Sequence, residues 1–396
     1  MRILFTFIGG LGHFEPLVPV ARAAAAAGHE VAVAGSGGLV GRVEAAGFRA
    51  FATSEVRSGA KEPAPRDRTP LSPTDARAAE VEFAENFADK GARRHANAVQ
   101  QHIRHWRPDV VVRDEADLGS AIAAEVLGIP TATVLVLAAG MLIRPDLVST
   151  PLATLRAEHG LPPDPELGML TRDLVLSPFV PSFRSPESPL PLPETTFYYR
   201  AGDRVPVPRH SSRLRVYATL GTVFNSESGD LFERLLLGLA DVDADVLVTV
   251  GRDFDPADFG PQPDHVRVER FVPQAEVLRH TDLVVSHGGS GSLMAALAHG
   301  LPSVLLPLGA DQPHNARRAE QLGLARTLDA ASVSPDAIRR TVNDVLHDRT
   351  MIDRARRVAD EIDRLPGIEQ TVPLLEALAS VTNAGRTAPP APPPAP

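Results

Sequence analysis

The chain has 396 residues, 43% of them hydrophobic, which is enough for two globular domains with cores of their own. A net charge of −9 argues against a nucleic-acid or anionic-membrane partner, and the lack of cysteine excludes disulfides and thiolate metal sites. No apolar run reaches membrane-spanning length and the chain opens on a strand rather than a signal peptide, so a cytoplasmic enzyme is expected.

Ile3 to Ile8 reads as a buried strand, followed by the turn Gly9-Gly10-Leu11-Gly12-His13-Phe14-Glu15-Pro16. Leu17 to Ala24 has helical spacing and ends at Gly28. Glu30 to Ala34 and Phe48 to Ala52 are strands around a short helix at Leu39 to Ala46. Thr53 to Thr74 is a long proline- and charge-rich loop, a length usually reserved for function. Asp75 to Trp106 is helical with a break near Gly91. Asp109 to Arg113 is a strand that delivers Asp114 to its carboxyl end. A helix at Leu118 to Leu127, a strand at Thr131 to Leu137, an apolar loop at Ala138 to Arg144 and a helix at Leu147 to His159 follow. Short strands are expected within Leu170 to Leu176 and at Thr196 to Tyr199. Proline-rich Phe179 to Pro193 and Val205 to Arg209 bracket the expected linker.

The second half repeats this alternation. Strands are expected at Leu214 to Leu220, Asp245 to Val250, Val266 to Arg270, Leu283 to Val285 and Ser303 to Leu306. Helices are expected at Leu231 to Ala240, Glu276 to His280, Leu293 to Ala298, Ala316 to Leu322, Pro335 to His347, Thr350 to Arg364 and Gln370 to Val381. Strand–helix alternation predicts an α/β protein with two Rossmann-like parallel sheets. The expected units are residues 1–204, 205–365, a helix in 366–384 packing back on the first unit, and a disordered Ala/Pro tail at 385–396.

Ligands of such sheets sit beyond the carboxyl ends of the strands. His13, Asp114, Thr222, Gln274, His287 and Asp311-Gln312 all fall at those ends. Ser286-His287-Gly288-Gly289-Ser290-Gly291-Ser292 joins a strand to a helix, and free N–H groups at a helix start favour a phosphate. Each residue also has a plainer role open to it. His13 suits a structural hydrogen bond, Asp114 and Asp311 suit helix caps, Gln312 suits the surface, Thr222 suits its own turn, and Phe271 suits the core. Apart from Asp114, Arg113-Asp114-Glu115 reads most simply as a solvated strand end.

The segments Arg270-Phe271-Val272-Pro273-Gln274, Ser286 to Ser292, and Asp311-Gln312-Pro313-His314-Asn315 resemble, in order and spacing, the nucleotide-sugar signature of family-1 glycosyltransferases of the GT-B fold. Gly12-His13-Phe14-Glu15-Pro16 and Pro108 to Asp114 are similar to the acceptor half of the bacterial enzymes that glycosylate natural products, antibiotics among them. The resemblance implies that Phe271, Val272 and Gln274 read the base. It implies that Thr222, His287, Gly289, Ser290 and Gly291 hold the diphosphate, while Asp311 and Gln312 bind sugar hydroxyls. His13 would then be the general base, held by Asp114.

The implied reaction is an inverting transfer to a small lipophilic acceptor, with a dTDP-sugar or UDP-sugar as co-substrate and no metal. Uridine-using members often carry a glutamate in the helix after the glycine turn, where this chain has Ala295, so a dTDP-deoxysugar is the favoured donor. The apolar Ala138 to Asp146 loop and Thr53 to Thr74 are expected near the acceptor. The alternatives are a catalytically silent auxiliary subunit and a nucleotide-sugar epimerase. No nucleic-acid partner is expected, and a homodimer is compatible with the sequence.

Overall fold

The computed structural model describes residues 1–56, 68–202, 213–221, 228–252 and 254–386. The expected linker at Val205 to Arg209, the boundary at 204/205, Thr222 and most of the Ala/Pro tail lie outside those residues.

The first half contains β1 (Arg2–Thr6), α1 (Leu11–Phe14), α2 (Leu17–Ala26), β2 (Glu30–Gly35), α3 (Val40–Ala45) and β3 (Arg49–Ala52). It continues through α4 (Ala76–Phe83), a π-helical segment (Ala84–Gly91), α5 (Ala92–Trp106), β4 (Val110–Asp114), α6 (Leu118–Val126), β5 (Thr131–Val134), α7 (Pro145–Glu158), β6 (Leu174–Ser177) and β7 (Phe197–Tyr198). The break expected near Gly91 is therefore a change of helical pitch rather than an interruption.

The second half contains β8 (Arg215–Thr219), α8 (Leu231–Leu239), β9 (Asp245–Thr249), β10 (Val266–Glu269), α9 (Gln274–Leu278), β11 (Leu283–Ser286) and α10 (Ser290–Ala298). Then come β12 (Ser303–Leu305), α11 (Gln312–Gln321), β13 (Ala325–Thr327), α12 (Pro335–His347), α13 (Arg349–Arg364) and α14 (Thr371–Arg386). Strand β13 was not expected. Its Ala-Arg-Thr sequence carries no apolar run, and pairing with β12 alone makes it a strand.

Each half builds one parallel sheet. The orders are β3-β2-β1-β4-β5-β6-β7 and β10-β9-β8-β11-β12-β13. In both, the order reverses once, between β1 and β4 in the first sheet and between β8 and β11 in the second. At such a point neighbouring crossovers leave in opposite directions and open a crevice beyond the strand ends. Strands covered on both faces should be continuously apolar, and Ile3, Leu4 and Phe5 of β1 and Val110, Val111 and Val112 of β4 have no exposed surface. Each such side chain contributes roughly 1.5–3 kcal/mol by leaving water.

The domains also share an apolar cluster. Leu135, Val175, Phe179 and Phe183 from the first pack with Leu293, Met294, Leu297 and Leu305 from the second. Arg318 reinforces the contact by donating to the carbonyls of Phe183 (2.9 Å) and Ser182 (2.8 Å). Helix α14 returns to the first domain, where Leu375 and Ala379 join the core of β1 and α2. Among the described residues, no helix is long and apolar enough to cross a membrane.

Candidate active site

The reversal point of the first sheet holds His13 and Asp114. His13 sits in α1, directly after β1, and its Nδ1 lies 3.4 Å from Asp114 Oδ1 at the end of β4. Asp114 is fully buried, so its charge must be met by donors. Oδ2 accepts from the N–H of Ile8 (2.9 Å), and Oδ1 from the N–H groups of Ala116 (2.5 Å) and Asp117 (3.1 Å). These bonds fix the carboxylate before any ligand arrives. With Nδ1 turned to Asp114, Nε2 is the free atom of the ring. The His13 side chain keeps 21% of its surface exposed. Burial works to lower its pKa, but the charge of Asp114, its hydrogen bond, and the charges of Asp311 and Asp117 outweigh that and hold it above the ordinary value. The influence of Asp311 sets the second domain's loop opposite the imidazole.

The solvated strand end expected at Arg113-Asp114-Glu115 is wrong. Arg113 has no exposed surface and Glu115 is buried. The Arg113 guanidinium donates to the carbonyls of Asp114 (3.1 Å), Glu115 (3.2 Å) and Leu170. Glu115 Oε2 accepts from the N–H groups of Val136 (3.1 Å) and Leu137 (3.0 Å). Both charges are used to brace the strand ends around Asp114.

The reversal point of the second sheet holds the glycine turn. His287 follows β11, and its buried ring lies between Gly221, beyond β8, and Gly289. A Cβ on Gly289 would stand 2.6 Å from His287 Nε2, and one on Gly221 would stand 2.6 Å from its Cε1. Gly221 also has φ +81°. Glycine at both positions is therefore a packing requirement of the imidazole. Burial lowers the His287 pKa to about 4, so the ring is neutral near pH 7 and carries one N–H to donate. Gly289 enters α10 with an extended backbone and makes no side-chain cap. The first N–H groups of α10 have no intrahelical acceptor. Gly291 is exposed, with open space where a Cβ would be.

Asp311, Ser290 and Asn315 form one network. Asp311 Oδ2 accepts from Ser290 Oγ (2.6 Å) and Asn315 Nδ2 (2.7 Å). Ser290 Oγ also accepts from the N–H of Ala138 (2.8 Å), and Asn315 Oδ1 accepts from the N–H of Ala139 (3.1 Å), both across the domain boundary. The Ser290 hydroxyl is thus committed to the interface, and only its N–H faces the glycine turn. Asp311 makes no side-chain cap for α11. Gln312 is buried rather than on the surface, and its Oε1 accepts from the N–H groups of Leu308 (2.7 Å) and Gly309 (3.3 Å). That bond closes a loop in which Ala310 has φ +51°, a conformation that costs a non-glycine residue about 1–2 kcal/mol.

At the far side of the second sheet Phe271 is 48% exposed, and the Arg252 guanidinium stacks on its ring at 4.0 Å. Val272 is partly buried beside it, and Gln274 Nε2 at the start of α9 is buried with no partner among the described residues. The apolar loop expected to line the acceptor space is core instead: Leu137, Leu142 and Ile143 are buried among helices. What faces His13 is Phe87, from the π-helical segment, with its ring 5.5 Å from that of His13 and stacked at 4.8 Å on Phe83.

The sequence reading missed Asn315, Arg113, Arg252 and Phe87. Asn315 and Arg113 lay inside segments already singled out, though with no role or another one. For Arg252 and Phe87 the sequence carries no signal.

The residues from 233 to 378 match the family model described as "Erythromycin biosynthesis protein CIII-like, C-terminal domain". Tylactone mycaminosyltransferase of Streptomyces fradiae is 28% identical, over 98% of this chain and 94% of that one. The 3-alpha-mycarosylerythronolide B desosaminyl transferase of Saccharopolyspora erythraea is 28% identical, over 96% and 99%. The crystal structure of the glycosyltransferase SnogD from Streptomyces nogalater superposes with a TM-score of 0.70 at 27% identity, covering 96% of this chain and 99% of that one. This chain is a glycosyltransferase of the GT-B fold, similar over nearly its whole length to the family-1 enzymes that glycosylate natural products. A further structure, the Streptomyces sp. SF2575 glycosyltransferase SsfS6 complexed with thymidine diphosphate, matches at TM-score 0.71 and 25% identity, over 95% and 99%. As a hexosyltransferase, the enzyme takes a sugar from a nucleotide-sugar donor to an aglycone acceptor.

Proposed function

We propose that this glycosyltransferase moves a deoxysugar from a dTDP donor to a hydroxyl of a small lipophilic acceptor, with inversion at the anomeric carbon and without a metal. The observation that carries the proposal is the His13–Asp114 pair, at the reversal point of one sheet and opposite Asp311 of the other. His13 Nε2 takes the proton of the acceptor hydroxyl as the oxygen bonds to the anomeric carbon. Asp114 holds the Nδ1–H tautomer and stabilises the imidazolium that forms. The bond from the anomeric carbon to the diphosphate breaks on the opposite face, and its electron pair leaves with dTDP.

The N–H groups that open α10 and a neutral His287 offer donors to that developing charge. Asp311 and Gln312 line the sugar side, while Phe271, Val272 and Gln274 take the base. A thymidine donor is supported by Ala295, which offers the ribose no carboxylate, and by the thymidine diphosphate bound in the similar SsfS6. A deoxysugar is supported by the mycaminosyl and desosaminyl transferases among the relatives.

Calorimetry with dTDP and UDP tests the donor: dTDP should bind more tightly, and preference for UDP overturns that choice. An acceptor screen read by mass spectrometry, on wild type and His13→Ala, tests the base. His13→Ala should bind dTDP normally and lose about 10²–10⁴-fold in transfer rate. Transfer at the wild-type rate would remove His13 from the mechanism.

A further inference from the structure

Behind His13 and Asp114 lies a second histidine–aspartate pair that the reaction does not use. His95 of α5 and Asp117, the cap of α6, have no exposed surface. His95 Nδ1 is 3.2 Å from Asp117 Oδ1, and His95 Nε2 is 3.0 Å from Thr53 Oγ1. Asp117 Oδ1 accepts from the N–H of Ser120 (3.1 Å) and Oδ2 from its hydroxyl (2.6 Å). Hydroxyl, imidazole and carboxylate are connected as in a nucleophilic triad. Thr53 is buried, however, so no reactant meets its oxygen.

One contact joins this chain to the base, and one places it at the end of β3. The N–H of Asp117 donates at 3.1 Å to Asp114 Oδ1, the oxygen that faces His13. Thr53 directly follows β3, and residues 68–74 lie further along the same stretch of chain. There Leu71 packs on the second domain's core, and Thr74 Oγ1 donates to the Pro307 carbonyl at 2.9 Å. Leu71 and Thr74 are therefore tied to the second domain, and Thr53, through His95, to the turn that carries Asp114.

We propose that Thr53, His95 and Asp117 are positioning residues that hold Asp114 in register, add a second negative charge behind His13, and couple both to Thr53 at the end of β3. The proposal rests on the role given to His13 above. The charges that face His13 are Asp114 from β4, Asp117 from the turn before α6 and Asp311 from the second domain, while Phe87 presents an uncharged ring. Asp117 in turn faces His95 and Arg113. Its own pKa is kept below the usual carboxylate range: burial works to raise it, and His95, Ser120 and Thr6 outweigh that effect.

The test is an NMR titration of the His13 ring in the full chain labelled at histidine, with the signal assigned by its loss in His13→Ala. Asp117→Asn removes one of the charges that raise the His13 pKa, so that pKa should fall by about half a unit, with dTDP affinity within twofold of wild type. An unmoved His13 pKa overturns the electrostatic part. Thr53→Val removes one hydroxyl and no charge, and it stands alone should Asp117→Asn not fold. Hydrogen–deuterium exchange over residues 114–120 should then quicken at least threefold while the second domain is unchanged. Unaltered exchange there overturns the coupling. Neither measurement needs turnover, so failure of His13 as the base would show separately, as wild-type transfer by His13→Ala.

Discussion

Ser290→Ala separates two roles that one serine can play in this site. If its hydroxyl binds the diphosphate, removing it weakens donor binding and leaves the fold alone. The geometry predicts the reverse. Oγ accepts from the buried N–H of Ala138 at 2.8 Å and donates to Asp311 at 2.6 Å. Stranding a buried N–H costs about 1–3 kcal/mol, and losing a hydrogen bond to a carboxylate costs about 1.5–3 kcal/mol. Asn315 still reaches Asp311 at 2.7 Å and Ala139 at 3.1 Å, so the lower part of each range applies. The sum is about 3 kcal/mol, or a fall in Tm of roughly 6–12 °C for a unit of this size. Scanning calorimetry reads the stability, and titration calorimetry reads dTDP affinity, which should stay within about twofold because the Ser290 N–H persists at the start of α10. An unchanged Tm with a tenfold loss of dTDP affinity would refute the assignment of the hydroxyl to the domain interface.

His287 predicts a pH dependence of stability. Its folded pKa of about 4 lies below the ordinary 6.5, so between those values the unfolded chain binds more protons and stability falls as pH falls. The contribution is intact above pH 6.5 and lost below pH 4, amounting to about 3 kcal/mol. Denaturant titrations across that window should show a shallower slope in His287→Asn, and an identical slope would contradict the buried neutral ring. Gly289→Ala places a methyl 2.6 Å from His287 Nε2 and must displace the ring. The loss of a hydrogen bond to a charged ligand then raises the dTDP Kd by about tenfold or more. Undiminished affinity would mean that His287 does not touch the diphosphate.

The alternation of strand and helix was legible because it depends on local periodicity, and it located both sheets to within a residue or two at most strands. The site clusters were legible for a topological reason. In a sheet of this order the crevice forms beyond the two strands that flank the reversal, so His13 after β1 and His287 after β11 had to face it. What the sequence did not reveal is how polar groups are divided between ligand and scaffold. Ser290, Gln312 and Arg113 read as site or surface because their partners, Ala138, Leu308 and Leu170, are backbone groups whose identity carries no signal. The same limit explains the loop at Ala138 to Asp146, where an apolar sequence fits a pocket wall and a core equally well and the shared interdomain cluster decides for core.

The consequence reaches the chemistry. Asp311 influences His13 from the second domain, while its own carboxylate is held by Ser290 and Asn315, which also grip Ala138 and Ala139 of the first. The residue proposed for the sugar is thus braced against the first domain by bonds that cross the interface, while His13 is braced separately by Asp114. A substitution that loosens the interface set should disturb the seating of Asp311 and leave dTDP affinity within about twofold, as expected for Ser290→Ala.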